Sequence, residues 1–347
     1  MRSVVRVASY LPVGVAEGVR VAGYDEDAFT LGAAAAERVL AERTERPGHL
    51  VVHLVGVFPS MADWGFAALL GQEAEVVHHP GTAAELTRTL RTLEAGLGGP
   101  AVIVASDLPE RDLPSGGHAP PPPGAGAVAF LLESSDEESA FPVEKGSPNR
   151  SAVSAVLRAG KLGRQEAGRA EFVGDWDASP PRGKAVEVEM VRQWANREPS
   201  HVSEGAYVPW ARYIENLPSR WRLVADECDS CHEVTFPARA ACRRCGRRDT
   251  LTPTYLPRTG ARVAAITTIG RGGQPTEFDE QVEATGPYGV VLLDFLEGVR
   301  GTLQLTDAAP GEVHVGDPVQ TFLRRLYPME GEWRYGRKAA PLPSRSL

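Results

Sequence analysis

No stretch of the sequence approaches the ~18 consecutive apolar residues that a membrane-spanning helix needs. The first residues, MRSVVRVASYLP, also lack the charged, apolar and small-residue regions of a secretory leader. We therefore expect a cytoplasmic protein without a membrane partner. Hydrophobic residues make up 42% and charged residues 24% of the 347 residues, which excludes wholesale disorder and leaves room for two to three domains.

The chain also lacks an excess of positive charge. Its formal net charge is −8, with 28 acidic and 20 basic residues in 1–212 and 17 of each in 213–347. A nucleic-acid-binding surface usually carries a basic face, because contacts to phosphate dominate its affinity. The charge balance therefore argues against nucleic acid as a partner.

Cysteine is scarce and confined to one segment, Cys228-Asp-Ser-Cys231 and Cys242-Arg-Arg-Cys245. Two CxxC turns can hold one ion between them, and four thiolates close a tetrahedron around Zn²⁺ with no open position. We expect a structural zinc site, with iron in a rubredoxin-like arrangement as the alternative. Two disulfides are disfavoured in a reducing cytosol. His232 follows the first CxxC and is interpreted as a bystander.

The first 135 residues alternate between strands and helices. Apolar and β-branched runs predict strands, and amphipathic or alanine-rich runs between them predict helices. The predicted strands are 4–12, 49–58, 101–107 and 127–134, and the predicted helices are 27–44 and 81–97. This alternation is typical of an α/β layer domain with a mainly parallel sheet.

The pattern changes twice further along the chain. Residues 136–212 have weak periodicity and predict an irregular insertion or linker, with Trp176, Trp194 and Trp210 as aromatic core under long loops. After the cysteines, short strands separated by Gly and Pro predict a small antiparallel barrel. Those strands are 261–270, 288–298, 300–308 and 318–327. The predicted domains are 1–135, 136–212, 213–258 (a lead-in helix and the ribbon) and 259–347 (the barrel and tail).

The C-terminal 135 residues resemble the DUF35 family, which joins a rubredoxin-like zinc ribbon to an OB-fold. The resemblance is carried by WARYIENLPSRWRLVADECDSC, Phe236-Pro237-Ala238-Arg239, CRRCGRRD, GARVAAITTI, GPYGVVLLDF and VHVGDPVQTFLRR, in this order. Family members are partners, in separate or fused chains, of thiolase-superfamily enzymes that act on acyl-CoA. The resemblance implies an acyl-CoA-binding or bridging subunit rather than an enzyme.

Residues 1–135 resemble the N-terminal half of hydroxymethylglutaryl-CoA synthase-like and ketoacyl synthase III-like proteins of the thiolase superfamily. The matching segments are YLP, GYDEDAFTLGAAAAERVL, VVHHPGTAAEL, AVIVASD and GAGAVAFLLE. The resemblance implies a thiolase-like half-fold and a homodimer interface at 101–107. It also implies a nucleophilic cysteine at the start of the second helix, where the helix N-terminus lowers the thiol pKa.

That cysteine is missing. The aligned position is His78, followed by His79, and every cysteine is already assigned to the ribbon. The second half of the superfamily fold, with its catalytic His and Asn, is also absent because the ribbon begins where it would continue. Claisen condensation by this chain alone is therefore not expected. A histidine can act as a base near neutral pH, although such a pair is more often a cap or packed surface.

A CoA ligand would need a basic rim beside an apolar groove. Arg324, Arg325, Arg337 and Lys338, with Arg334, form the candidate rim for the CoA phosphates, and a solvated arginine-rich face is the alternative. A second arginine group surrounds the cysteines and could face an acidic partner surface or a phosphate. It comprises Arg239, Arg243, Arg244, Arg247 and Arg248.

Three functional hypotheses follow. The first is an accessory or incompletely catalytic subunit that docks a thiolase-superfamily condensing enzyme and guides an acyl-CoA or acyl-carrier-protein thioester. The second is a retro-aldol carbon–carbon lyase or an acyltransferase whose site is completed by a thiolase-like partner. It would need a Tyr or His from this chain, for which Tyr10, Tyr24 and Tyr207 qualify by residue type only. The third is a single-stranded nucleic-acid-binding module, since ribbons and barrels often bind single strands.

Overall fold

The computed structural model describes residues 2–16, 19–41, 49–71, 74–79, 83–96, 98–108, 125–134, 170–173, 184–195, 208–296 and 298–342. The chain divides into two compact units, Met1–Asn196 (unit 1) and Arg197–Leu347 (unit 2). Most of the predicted insertion 136–212, including Trp176 and Tyr207, lies outside the described residues. The predicted boundaries at 135, 212 and 258 stay predictions.

Unit 1 is an α/β unit. Its described strands are β1 (Arg2–Tyr10), β2 (Gly14–Ala16), β3 (Val19–Val21), β4 (Leu50–Val55), β5 (Ala74–His79), β6 (Ala101–Asp107), β7 (Gly126–Ser134), β8 (Glu171–Val173) and β9 (Lys184–Ala185). Its described helices are α1 (Ala28–Val39), α2 (Ala62–Leu70), α3 (Ala83–Ala95) and α4 (Val188–Ala195). The short helix α2 and strand β5 were not predicted as separate elements.

Six strands of unit 1 form one mixed sheet in the order β5-β4-β6-β7-β1-β8. Strand β4 runs parallel to β5 and β6, and β1 runs parallel to β8, whereas β7 is antiparallel to both of its neighbours. The sheet interior is aliphatic and aromatic, with Val7, Ile103 and Phe130 fully buried. The predicted α/β layer with a mainly parallel sheet is therefore confirmed.

The prediction of a homodimer through 101–107 is wrong for this arrangement. Strand β6 lies inside the sheet, and both of its edges are already paired, with β4 and with β7. Its residues Ala101–Ala105 are fully buried. A second copy therefore has neither a free edge nor an exposed side chain of this strand to contact.

Helix α1 begins where its sequence supplies a capping box. The Asp27 carboxylate accepts a hydrogen bond from the Thr30 backbone N–H, and the Thr30 hydroxyl accepts one from the Asp27 N–H, both at 2.8 Å. The alanine-rich body of the helix is buried and packs on β7, β1 and β6. At Gly32 an added Cβ would lie 3.0 Å from Val104, so the helix approaches the sheet closely because the side chains are small.

Unit 2 begins with two short helices, α5 (Trp210–Glu215) and α6 (Leu217–Arg222), where one lead-in helix was predicted. The ribbon follows as a three-stranded sheet of β10 (Val224–Cys228), β11 (Val234–Thr235) and β12 (Leu251–Tyr255), in the order β11-β10-β12. The remaining strands are β13 (Thr259–Ile269), β14 (Tyr288–Leu296), β15 (Val299–Leu305), β16 (Pro318–Met329) and β17 (Glu332–Pro341). A 3-10 turn (Thr276–Phe278) and helix α7 (Asp279–Thr285) connect β13 to β14.

Strands β13 to β17 form a closed barrel in the order β13-β14-β15-β17-β16. Strand β15 pairs in parallel with β17, and β13 closes the barrel by antiparallel pairing with β16. A five-stranded Greek-key barrel of this kind is the OB-fold. The predicted ribbon and barrel are confirmed. Strand β17 was not predicted from the sequence. No helix among the described residues is long and apolar enough to span a bilayer.

Candidate functional site

The four cysteines converge at one end of the ribbon. Their Sγ atoms all lie within 4.8 Å of one another, and the Cys228–Cys245 and Cys231–Cys242 pairs are each separated by 3.6 Å. Thiolates bound tetrahedrally to zinc at about 2.3 Å are about 3.8 Å apart, so this spacing fits one ion. The residues present therefore fit a zinc ion with four sulfur ligands and no position for a substrate, which makes the site structural.

Backbone geometry explains why the two CxxC turns close around one point. The residues after each turn, His232 and Gly246, adopt left-handed conformations with φ of 55° and 74°. This lets the His232 N–H donate to the Cys228 carbonyl at 2.7 Å and the Gly246 N–H donate to the Cys242 carbonyl at 3.0 Å. The His232 ring is 80% exposed and faces Glu227, outside the sulfur cluster.

The ribbon touches the barrel through Phe236, which follows β11. Its ring packs at 5.7 Å from the Phe295 ring of β14. An added Cβ at Gly301 of β15 would lie 2.7 Å from the Phe236 ring, so only glycine leaves room for this contact. The neighbouring Ala238 N–H donates to the Ser219 hydroxyl, which itself donates to the Val224 carbonyl. The metal site thus fixes a loop that contacts both α6 and the barrel.

The two lead-in helices are fastened to β17 by buried hydrogen bonds. The Trp221 indole N–H donates to the Tyr335 carbonyl at 2.9 Å, and the Tyr213 hydroxyl accepts from the Tyr335 N–H at 2.8 Å. Burial raises the pKa of Tyr213 to about 12. The Arg334 guanidinium lies 4.3 Å from the Trp210 ring centroid, a cation–π contact that covers the junction.

The structure places most of the predicted basic rim in the interior of unit 2. Arg324, Arg337 and Lys338 are at most 3% exposed, because β16 and β17 place them in the interior of unit 2. The Arg324 guanidinium pairs with Asp307 at 3.3 Å, and Arg337 donates to the Trp221 carbonyl at 2.5 Å. Arg324 and Arg337 therefore have partners inside unit 2, and phosphate binding by these three buried residues stays a prediction.

The fourth residue of the predicted rim, Arg325, is partly exposed. Its guanidinium lies 4.9 Å from the Trp333 ring centroid. The ribbon arginines are all exposed, and Arg243 among them pairs with Glu233 and also donates to the Gly298 carbonyl at 3.1 Å. Binding of a phosphate by Arg325 or by the ribbon arginines stays a prediction.

A cavity of about 750 Å³ opens in unit 2 where helix α6, the loop after β11 and the barrel meet. This loop, which contains Phe236 and Pro237, is called the ribbon loop below. The walls of the cavity combine elements that lie far apart in the sequence, so no local motif predicts the cavity. Apolar side chains form much of the surface. They include Phe236, Phe278, Leu292, Leu303, Leu326 and Tyr327. Polar groups enter at Arg220, Glu277, Arg300, Gln304 and Arg337. A mostly apolar cavity with a few polar groups is typical of a small-molecule site.

The structure places the predicted histidine pair on a strand and not at a helix start. His78 and His79 end β5, and helix α3 begins at Ala83. The His78 ring contacts the Asp63 carboxylate. His79 Nε2 lies 2.9 Å from Nδ1 of His53, which the sequence reading overlooked, and Nδ1 of His79 lies 3.8 Å from Glu85.

His53, the neighbour of His79, is half-buried beside two other basic groups. Burial, helped by the nearby His79 and Arg2, lowers the pKa of His53 to about 4. His53 is therefore a neutral imidazole at pH 7 and a weak base. The tyrosine candidates are also engaged: the buried Tyr10 hydroxyl donates to Glu26 at 2.8 Å, and the Tyr24 ring packs edge-on against Trp194.

Comparison with known proteins identifies the ribbon. The family model described as the ChsH2 rubredoxin-like zinc ribbon domain matches residues 219–250. DUF35 domain-containing scaffold proteins of Methanothermobacter thermautotrophicus and Methanocaldococcus jannaschii are 29% and 28% identical to this chain over 132 and 133 residues. These matches cover 38% of this chain and 94% and 89% of the relatives. The predicted resemblance to DUF35 proteins is confirmed.

Solved structures are also similar. The Ltp2-ChsH2(DUF35) aldolase is 23% identical, with 35% of this chain and 84% of that chain covered and a TM-score of 0.28. The 3-oxoacyl-[acyl-carrier-protein] synthase III of Aquifex aeolicus VF5 is 15% identical, with coverage of 40% and 56% and a TM-score of 0.31. The curacin HMG synthase in complex with acetyl donor-ACP is 15% identical, with coverage of 38% and 41% and a TM-score of 0.31.

Proposed function

We propose that this chain is an accessory subunit that docks a thiolase-superfamily enzyme and guides an acyl thioester to it. The observation that carries the proposal is the cavity of unit 2, which is bounded by a zinc ribbon similar to that of DUF35 scaffold proteins. The thioester would be acyl-CoA or a carrier-bound acyl group, held against the apolar walls of the cavity.

The distribution of cysteine supports an accessory role over independent catalysis. All four thiols lie in the ribbon, where their spacing fits a metal ion, so no free thiolate is available to accept an acyl group. The thiolate nucleophile would come from the partner. Unit 1, with its resemblance to half of a thiolase fold, is the natural candidate for the partner-facing part of the chain.

The proposal is tested by reconstitution. The thiolase-superfamily chain that co-purifies with this protein from its own cells is identified, and both chains are then purified separately and mixed with radiolabelled acetyl-CoA. We expect the label on the partner's cysteine and a faster reaction when this chain is present. A stable label on this chain, or a partner whose rate does not respond to it, would overturn the proposal.

The same system separates the two remaining hypotheses. In a lyase or acyltransferase that uses a histidine of this chain, His78→Ala or His79→Ala would abolish turnover, whereas the accessory role predicts that turnover is retained. A nucleic-acid module would bind a single-stranded oligonucleotide with an affinity that falls steeply with salt. We expect no such binding, because the charge of 213–347 is balanced.

A further inference from the structure

Two polar side chains on the cavity wall have buried atoms without partners. Oε2 of Glu277, in the turn before α7, and Oε1 of Gln304, on β15, are shielded from solvent and accept no hydrogen bond within the described part of the chain. A buried acceptor without a donor is costly, and native proteins keep few of them. Both atoms therefore lack the N–H or O–H donors that a ligand could supply.

One cation of the cavity is uncommitted. Arg220 of α6 lies with its guanidinium 5.9 Å from the Tyr213 ring centroid, and it forms no ion pair with a carboxylate of the described residues. Burial raises the pKa of Tyr327 on the cavity wall, and the nearby positive charge of Arg220 opposes part of this rise. Arg220 can donate hydrogen bonds to a carbonyl oxygen of a bound molecule.

The other two guanidinium groups already have partners. Arg337 donates to the Trp221 carbonyl at 2.5 Å and to the Thr321 carbonyl at 3.3 Å, and Arg300 pairs with Asp294 at 2.5 Å. Recognition of a phosphate usually needs several free cationic donors. A single free arginine on a wall that also carries the Glu277 carboxylate is a poor phosphate site.

Aromatic packing holds the backbone next to Glu277, and Oε2 of its side chain is itself buried. The adjacent Phe278 ring lies 5.7 Å from the Tyr288 ring and 5.4 Å from the Tyr327 ring. The unpaired carboxylate therefore stands at a defined place on the apolar wall, and is not on a side chain that can turn freely to solvent. The cavity presents separated acceptors and one donor along a largely apolar surface.

A chain of secondary amides matches this pattern, since each amide offers an N–H for Glu277 or Gln304 and a C=O for Arg220. We propose that the cavity holds the amide-bearing pantetheine arm of a thioester and leaves the nucleotide unrecognised. The inference rests on the proposed function and specifies which part of the thioester the cavity binds. It requires that CoA-bound and carrier-bound thioesters be accepted alike, because both carry the same arm.

The test is calorimetric titration of the full-length, zinc-loaded chain with three probes: acetyl-CoA, S-acetylpantetheine and adenosine 3′,5′-bisphosphate. We expect the two thioesters to bind with dissociation constants within about threefold of each other. The bisphosphate, which represents the nucleotide alone, should neither bind nor compete. Competition by the bisphosphate, or loss of binding when CoA is replaced by S-acetylpantetheine, would overturn the inference.

Variants test the named residues. Glu277→Leu and Gln304→Leu each replace a hydrogen-bond acceptor by an apolar side chain of similar size, and each should weaken the binding of both thioesters about tenfold. The matched control is Glu332→Leu, at an exposed position outside the cavity, which should leave both affinities unchanged. Folding is verified by zinc content and the thermal melt, and Glu277→Leu alone decides if Gln304→Leu does not fold. Unchanged affinity in folded Glu277→Leu would contradict the assignment.

The outcomes also separate this inference from the function on which it rests. If the bisphosphate competes while the partner complex still forms and turns over, the proposal that the cavity binds the pantetheine arm fails and the accessory role stands. If no thioester binds while the partner still docks, both the arm assignment and the guiding role fail, and docking remains. If no partner docks but S-acetylpantetheine binds and depends on Glu277, the cavity assignment stands without the accessory role.

Discussion

The two units of the chain bury different chemistry. In unit 1 the buried acids Glu26 and Asp27 lie beside the start of α1 and accept local hydrogen bonds. Arg6 of β1 is the one buried cation among the described residues of this unit. Unit 2 buries cations inside its barrel strands, among them Arg324, Arg334 and Lys338. A small barrel has too little core to be stabilised by apolar packing alone and needs additional stabilisation. Unit 2 obtains it from a metal site and buried hydrogen bonds.

The first prediction concerns the metal site of unit 2, where we expect the largest loss of stability. Cys242→Ser removes one of four thiolates, so the chain should lose its bound zinc and the fold of the ribbon. Structural zinc contributes on the order of 10 kcal/mol in small ribbons. Zinc content by atomic absorption and the thermal melt measure the result.

The control for this variant is Ser230→Ala, which lies inside the first CxxC turn and accepts a hydrogen bond from Arg247 at 3.2 Å. It should retain zinc and melt close to the wild type. A Cys242→Ser protein that still holds one zinc ion per chain would show that the four sulfurs do not act together.

The second prediction concerns the fastening of the lead-in helices. Trp221 is fully buried and donates to the Tyr335 carbonyl, so Trp221→Ala should lower the free energy of unfolding by about 3–5 kcal/mol. Urea unfolding followed by circular dichroism measures the change. Trp210→Ala, at a position that is 42% exposed, serves as the comparison and should cost clearly less. Equal costs would mean that the helices are not held through Trp221.

The third prediction sharpens the distinction between buried and exposed arginine in unit 2. Arg337→Met keeps an unbranched side chain but removes the guanidinium and leaves the Trp221 and Thr321 carbonyls without their donor, which should cost about 1.5–3 kcal/mol of unfolding free energy. Arg325→Met, at a partly exposed position, should cost less than about 1 kcal/mol. If Arg337→Met were as stable as the wild type, the guanidinium would be free to bind ligand after all.

The smallest expected effect lies in unit 1 and depends on pH. The pKa of His53 is lowered from 6.5 to about 4 in the folded chain, so the unfolded chain takes up this proton first. The stability that depends on neutral His53 is therefore complete above pH 6.5 and is lost as the pH falls from 6.5 towards 4. His53→Asn should flatten the pH dependence in this window.

NMR titration of the histidine rings checks this prediction directly. The groups that face His53 are His79, whose far nitrogen approaches Glu85, and Arg2. A His53 ring that titrates near 6.5 would contradict the buried pair.

Local sequence rules predicted much of this fold. The zinc ligands followed from CxxC spacing, and α1 from an acidic N-terminus before alanines, because both depend on neighbours within a few residues. Strand β17 was missed because Arg334, Arg337 and Lys338 make it resemble a solvent-exposed segment. Their burial depends on partners such as Trp221 and Tyr213, more than a hundred residues away.

The candidate site was less accessible to prediction. Phe236, Glu277 and Gln304 belong to the ribbon loop, the β13–β14 connection and β15, and no periodicity links them. The charge pattern pointed to the arginines of β16 and β17 instead, since sequence alone does not distinguish a buried guanidinium from an exposed one. Gly301 leaves room for the Phe236 ring, but nothing in the sequence around Gly301 indicates this role.

Native mass spectrometry of the tagged protein isolated from its own cells tests the accessory role, because one spectrum reports metal, bound thioester and partner together. We expect a heteromeric complex that contains this chain with one zinc ion, a thiolase-superfamily chain and a pantetheine-bearing thioester. A protein found only with itself, without a thioester, would contradict an accessory role and would make His78 and His79 the next residues to test.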